Sequence, residues 1–305
     1  MPGSRREALA RDDNLLQLKC PTEVVQCIFS LLRPSQALKF RRLCRRINQC
    51  LLHRDFAVLN IKNHLLRKPS TGKSTSLDQF WFCMPISYQI VYADYKLKSL
   101  ATLELSWKAI QGPIPEAVGS LQKLTLLKLG SNRLDGPIPD GIWQLLNLES
   151  LDLSNNKITG IISPQIGNLV KLQSLYLGSN RLSGAIPLEL GNCSKVKLLS
   201  LSNNELSGNI PSQVGNLVNL VYIYLSHNLL SGPIPSFLSR IKQLRSLFLN
   251  NNKLTGLVPQ EFGNLYYLDS ISLLPNSGLR KSIPNGIVKG TRFWNMLKED
   301  GFDSI

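Results

Sequence analysis

Asparagine returns every 24 residues through most of this 305-residue chain, at Asn132, Asn156, Asn180, Asn204, Asn228, Asn252 and Asn276. A fixed period of about 20 to 50 residues specifies an array of stacked, similar units before any helix or strand is assigned. The neighbours of each asparagine repeat with it. The unit around Asn204 runs Leu199-Ser-Leu-Ser-Asn-Asn-Glu-Leu-Ser-Gly-Asn-Ile-Pro211, followed by the apolar Val214-Gly-Asn-Leu217 and Leu220. Leu199 and Leu201 are two apart, so they point to one side of a short strand. The asparagine stands where the chain leaves that strand. Its amide both donates and accepts, so it can satisfy backbone groups that the turn buries. Gly208 permits backbone angles or a close approach that a Cβ would block. Pro211 holds an extended stretch with no donor to satisfy. One unit cannot bury its leucines alone, whereas stacked units form one continuous core with parallel strands along one face.

The pattern L-x-L-x-x-N-x-L-x-G-x-I-P resembles the plant-type subclass of leucine-rich repeats over residues 99–287. The fold this implies is an α/β solenoid, a right-handed superhelix of about eight coils with a 24-residue period. Six coils are regular and two are degraded. In the first, Lys108 stands at the asparagine position; in the last, Ile283-Pro284 comes one residue late. Atypical end coils are expected to act as caps.

Residues 1–98 are not repetitive. From Cys20 the chain places Val24, Val25, Ile28, Phe29 and Leu32 on one helical stripe, then breaks at Arg33-Pro34-Ser35. A second stripe carries Phe40, Leu43, Cys44, Ile47 and Leu51, and a third helix is expected from about His53 to Leu59. This segment resembles the F-box, the helical module that docks substrate receptors onto the Skp adaptor of ubiquitin ligases. Pro21, Glu23, Ile28 and Leu32 match its first helix. Leu38, Arg42, Leu43, Cys44 and Arg45 match its second. Cys20 replaces the usual leading leucine, and no aromatic follows Arg46. The resemblance implies Skp docking through Pro21, Glu23, Ile28, Leu32, Leu38, Leu43 and Cys44.

The expected organisation is a disordered N-terminus (1–14), an F-box-like helical module (15–62), a linker (63–77), a helical N-terminal cap (78–98), the repeats (99–287) and a C-terminal cap (288–305). The aromatic run Phe80-Trp81-Phe82 with Tyr88, Ile90, Val91, Tyr92 and Tyr95 suits a cap over an open leucine core. Trp294 and Met296 are expected to serve at the other end. Gly72-Lys73-Ser74 echoes the end of a phosphate-binding loop, but Arg67 stands where the earlier glycine belongs.

The net charge is +15, and it is uneven. Residues 1–98 hold 17 Lys and Arg against 7 Asp and Glu, while residues 99–305 hold 18 against 13. An acidic partner would therefore meet the non-repeat part first. Nucleic acid is not expected as a partner, because aromatic platforms are not interleaved with the basic run at Arg41–Arg46. No apolar stretch is long enough to span a membrane, and residues 1–13 carry no apolar run of a secretory signal. Six cysteines without a C-x-x-C pair argue against zinc and for reduced thiols in an intracellular compartment. The sequon Asn192-Cys-Ser194 should then be unused. His53, His64 and His227 have no metal-ligand spacing, no cofactor is expected, and no catalytic arrangement is visible.

In the repeat register, residues beside the core leucines face outward onto the expected concave sheet. The candidates for contact with a protein target are Trp107, Lys128, Arg133, Tyr176, Arg181, Tyr222, Tyr224, His227 and Phe248, with Lys157 and Lys253 alongside. Aromatics and arginines on a rigid surface are typical anchors of protein interfaces. The function expected is a non-catalytic scaffold, an F-box-type receptor presenting a target for ubiquitination. The alternative is a recognition module of receptor or defence type without a ligase link.

Overall fold

The computed structural model describes residues 52–64 and 78–303. The positions expected to dock a Skp adaptor, Pro21, Glu23, Ile28, Leu32, Leu38, Leu43 and Cys44, lie outside the described residues, as do residues 65–77 of the expected linker, whose first two residues end the helix Arg54–His64. The chain forms two compact units. In the first, helix α1 (Arg54–His64) lies where the third helix of the N-terminal module was expected, and runs five residues past Leu59. It packs on α2 (Ile86–Tyr92), whose last turn continues as a π-helical segment, Ala93–Leu97. Phe56 meets Tyr88 edge to face at 6.3 Å, and Arg54 approaches Asp94 at 3.9 Å. Tyr88 is fully buried, and burial raises its phenol pKa. The segment 78–98, expected as one cap, divides between the units: Cys83–Ser99 belongs here, and Asp78–Phe82 belongs with the repeats.

The second unit is the repeat array. Its main sheet has eight parallel strands, from Thr102–Glu104 to Ser270–Ser272, each paired to the next at a 24-residue offset. Each strand is three residues long. Its central leucine or isoleucine points inward, and a second apolar residue two positions on follows it, as with Leu127 and Leu129. Full burial of one such side chain is worth about 1.5–3 kcal/mol.

The asparagines bind these strands into an array. The Asn204 side-chain amide donates to Leu201 O (3.0 Å) and Ser202 O (3.4 Å) in its own coil, and to Leu177 O (3.0 Å) in the coil before. Its Oδ1 accepts from Leu182 N at 3.0 Å. Asn156, Asn180, Asn228, Asn252 and Asn276 reach back to the preceding coil in the same way. Asn132 does more. Its Oδ1 accepts from both Lys108 N (2.9 Å) and Ile110 N (3.1 Å), so the second coil holds the turn of the first, where an asparagine is missing.

After each asparagine the chain enters a second ladder, made of a two-stranded piece (Gln111–Pro113 with Arg133–Asp135) and a five-stranded piece from Ser183–Ala185 to Asn276–Leu279. The repeat glycines from Gly112 to Gly256 have φ between 71° and 87° here, a region that disfavours any side chain. Seven 3₁₀ turns, from Glu116–Ser120 to Gln260–Asn264, close the coils on the far side. They pack closely, since a Cβ on Gly215 would come 2.6 Å from Phe237 O. Trp143 occupies the same column as Gly119, Gly167, Gly191 and Gly215, and is fully buried with its indole N–H unpartnered.

The C-terminal end closes through α3 (Arg292–Glu299), capped by the Thr291 hydroxyl. Phe293, Leu297 and Phe302 are the buried residues, with Phe293 edge-on to Phe262 at 6.3 Å. Trp294 and Met296, expected in this role, are only half-buried. The helix stripe is set by Phe293 and Leu297, four apart, which turns their neighbours aside. Leu249 N donates to Ser272 O of the next coil, but among the described residues no further strand follows Ser270–Ser272 in the sheet. Asp300 supplies the acceptor instead, taking Leu273 N at 2.6 Å, Leu274 N at 3.2 Å and Ser272 Oγ at 3.2 Å.

Two stability predictions follow from these contacts. Asn204→Ala strands buried carbonyls and an amide, so it is expected to cost about 3 kcal/mol, read from the urea midpoint. The half-buried Asn132 should cost less. Asp300→Ala should cost about 1–3 kcal/mol by leaving two backbone donors unmet. Burial raises the Asp300 pKa more than its three donors lower it. The folded state thus takes up a proton there, and this group's contribution to stability falls as pH rises from the ordinary aspartate value through the raised one. A pH series of urea midpoints checks this, and Asp300→Asn should remove the dependence.

Candidate functional site

Alternation along each strand turns the residues flanking the buried leucines onto the open face of the eight-stranded sheet. In the first three coils that face is charged, and the charges are engaged. Lys128 Nζ lies 3.3 Å from Glu104 Oε1. Asp152 accepts from Ser154 N (2.9 Å) and Ser154 Oγ (2.7 Å). From the fourth coil on, the outward strand positions are Ser174, Tyr176, Leu198, Ser200, Tyr222, Tyr224, Ser246, Phe248, Ser270 and Ser272. None of these side chains is charged, on a chain whose net charge is +15.

Three rings occupy the middle of this stretch. Tyr222 and Tyr224 stack at 6.3 Å with 8° between their planes. Tyr224 pairs in register with Phe248 and stacks on it at 5.4 Å and 14°. All three are half-buried. Tyr176 lies two strands away, separated from Tyr224 by Ser200. Beside the rings the Ser202 and Ser226 hydroxyls share a hydrogen bond of 3.0 Å. The face therefore offers ring surface ringed by hydroxyls. The strands carrying Tyr176, Leu198, Tyr222, Tyr224 and Phe248 are each paired on both sides, and only Ser270–Ser272 ends the sheet, so a ligand over the rings must be held by side chains rather than by free backbone edges.

Of the nine expected contact residues, the structure brings together Lys128, Tyr176, Tyr222, Tyr224 and Phe248 on this face. The other four stand elsewhere, and the reason is the turn. Trp107 (φ 61°) and His227 (φ 56°) occupy the left-handed residue just before the asparagine position, which ends the strand alternation. His227 Nε2 lies 3.2 Å from Asn251 Nδ2, its counterpart one coil on. Arg133 opens a strand of the second ladder, and Arg181 donates its N–H to Ile158 O in the same ladder. The sequence reading missed Leu198 and the serines. Reading every outward position by register, rather than selecting rings and cations, would have found them and shown where charge is absent.

Comparison with known proteins agrees with this fold. Residues 146–189 match the family described as Leucine Rich repeats (2 copies), residues 171–230 match Leucine rich repeat, and residues 123–145 and 243–265 match Leucine Rich Repeat. No curated protein matches the chain. Among solved structures, the ectodomain of the Arabidopsis thaliana receptor kinase GASSHO1/SCHENGEN3, in complex with CASPARIAN STRIP INTEGRITY FACTOR 2, is 36% identical with a TM-score of 0.62. That match covers 67% of this chain and 24% of the receptor. The plant peptide hormone receptor RGFR1, in complex with RGF2, is 34% identical over 67% of this chain and 32% of its own, with a TM-score of 0.61. The Arabidopsis receptor kinase HAESA, in complex with the peptide hormone IDA and the co-receptor SERK1, is 30% identical over 70% and 38%, with a TM-score of 0.57. The chain thus spans 24–38% of the length of these three structures. The repeats are leucine-rich repeats, similar to those of plant receptor ectodomains.

If the ring stack belongs to recognition rather than to the fold, its loss should be tolerated. Tyr224→Ser matches the serines of neighbouring strands and is expected to cost about 1 kcal/mol or less in urea unfolding. A much larger loss would make the stack structural.

Proposed function

We propose that the chain is a recognition module that holds a peptide or an extended segment of a protein on the open face of its fourth to eighth coils. The observation that carries this reading is an uncharged face centred on Tyr222, Tyr224 and Phe248 in an otherwise basic chain. Rigid stacked rings supply contact area with little side-chain entropy to lose, and surrounding hydroxyls can meet a ligand's backbone groups. The similar receptors support it, one in complex with CASPARIAN STRIP INTEGRITY FACTOR 2, one a peptide hormone receptor in complex with RGF2 and one in complex with the peptide hormone IDA. Selection of a random peptide library on the full chain tests the idea. Selected peptides should lose at least about tenfold in affinity for the variant Tyr222→Ser/Tyr224→Ser/Phe248→Ser. Unchanged capture by that variant would sink it.

A second reading keeps the chain as an F-box-type substrate receptor, with a Skp adaptor at Pro21, Glu23, Ile28, Leu32, Leu38, Leu43 and Cys44. It is favoured by the sequence match there and by α1, which lies at the place of the expected third helix. The two readings share the same target face and differ only in what the N-terminal residues do. Recovery of a purified Skp adaptor by the full chain, but not by a chain lacking residues 1–62, is the expected result. Failure of both to recover it removes the ubiquitin link and leaves the recognition module.

A further inference from the structure

Four of the residues expected on the sheet face, or beside it, prove to stand together elsewhere. Lys157 N donates to Leu134 O, Arg133 N to Ile110 O and Arg181 N to Ile158 O. These three cations therefore occupy one column of the second ladder in consecutive coils, about 5 Å apart at strand spacing. All are exposed. Among the described residues none of them forms an ion pair. Stacking three like charges in register without an intervening acid is unfavourable for the array itself.

Trp107 lies at the first-coil end of this column, two residues before Ala109, which precedes Arg133 by one coil. Its turn is left-handed in the first seven coils, with φ 61° at Trp107 and between 54° and 58° from Ser131 to Asn251. The second to seventh coils fill that position with serine, asparagine or histidine. Serine is small, and asparagine and histidine tolerate this conformation, whereas tryptophan is disfavoured there. Trp107 is also 82% exposed. Neither backbone preference nor packing accounts for it. The turn is held regardless, by Asn132 Oδ1 on Lys108 N and Ile110 N and by Gly130 O on Trp107 N.

We propose that Trp107, Arg133, Lys157 and Arg181 form a second docking edge, which binds an acidic peptide segment of a protein partner. An indole and a row of guanidinium and ammonium groups provide an apolar anchor and charge-assisted hydrogen bonds to carboxylates. Two acids shape the choice. Asp135 follows Arg133 on the same side of its strand, and Glu205 takes the next place in the column after Arg181. They interrupt the positive field, which disfavours a continuous polyanion such as nucleic acid and accommodates separated carboxylates. The edge is distinct from the ring stack of the open face, so either surface can fail without the other.

Binding of a fluorescein-labelled decamer of alternating glutamate and alanine to the full chain, followed by anisotropy, tests the assignment. The peptide should bind, weaken as salt is raised, and lose at least about tenfold in affinity for Arg133→Glu/Lys157→Glu/Arg181→Glu. Trp107→Ser, which places there the residue of the second and fourth coils, should fold at least as well and bind severalfold more weakly. Tyr224→Ser/Phe248→Ser should bind as the parent does. Circular dichroism and urea midpoints confirm that each variant is folded. An equal loss in Lys195→Glu/Lys197→Glu/Lys242→Glu would reduce the effect to general basicity and overturn the proposal. So would absence of peptide binding, or tighter binding of a thymidine decamer through the same residues.

Discussion

Every other property of the repeat array depends on one constraint: each coil must satisfy polar backbone that its neighbour's leucines force out of water. A three-residue strand followed at once by a turn leaves carbonyls and amides facing the core. Unmet, such groups would cost about 1–3 kcal/mol each. The asparagine amide meets them on both sides, donating to its own coil and to the coil before and accepting from the latter. Leucine burial supplies the driving force, and the amides set the spacing and register at which that burial is permitted. This is why the period stays at 24 residues, and why the face beside it can vary freely.

That freedom has been used unevenly. The first three coils carry paired or locally satisfied charges on the open sheet, Lys128 with Glu104 and Asp152 with Ser154. The later coils carry rings and hydroxyls. Cations that are absent from this later face appear on the second ladder instead. One scaffold thus presents two chemically different edges, and the separation arises from the turn before each asparagine, where the chain changes direction.

The array was legible in the sequence because its signals are periodic. Asn204, Gly208 and Pro211 each recur with a defined local role, and the structure assigns them the hydrogen bonds and positive φ that their chemistry suggests. Individual side chains at the site were harder to place. Tyr176, Tyr222, Tyr224 and Phe248 follow strict alternation with buried leucines, so their direction could be read. Trp107 and His227 are the left-handed residues themselves, and Arg133 and Arg181 lie beyond them, so spacing from the main-sheet leucines no longer gives their direction. Similarly, Phe293 and Leu297 rather than Trp294 and Met296 face inward, because a single eight-residue helix offers two stripes and only its docking partner, Phe262, selects between them. Trp143 had no periodic signal, because it fills a column that glycine holds at 119, 167, 191 and 215.

Asp300 gives the array a direction. Each coil presents amide donors to the coil that follows, so a stack of any length ends with donors awaiting acceptors, and the final helix supplies them from a single carboxylate. The closing piece reads nothing of the coils further back. It meets the strand end from Ser272 to Leu274, the Phe262 ring, Asp269 through Arg292, and the backbone of Lys281 and Ile283 through Asp303. Arg292 to Asp303 therefore does for the eighth coil what a further 24-residue unit would otherwise do, covering its strand end and accepting its amides.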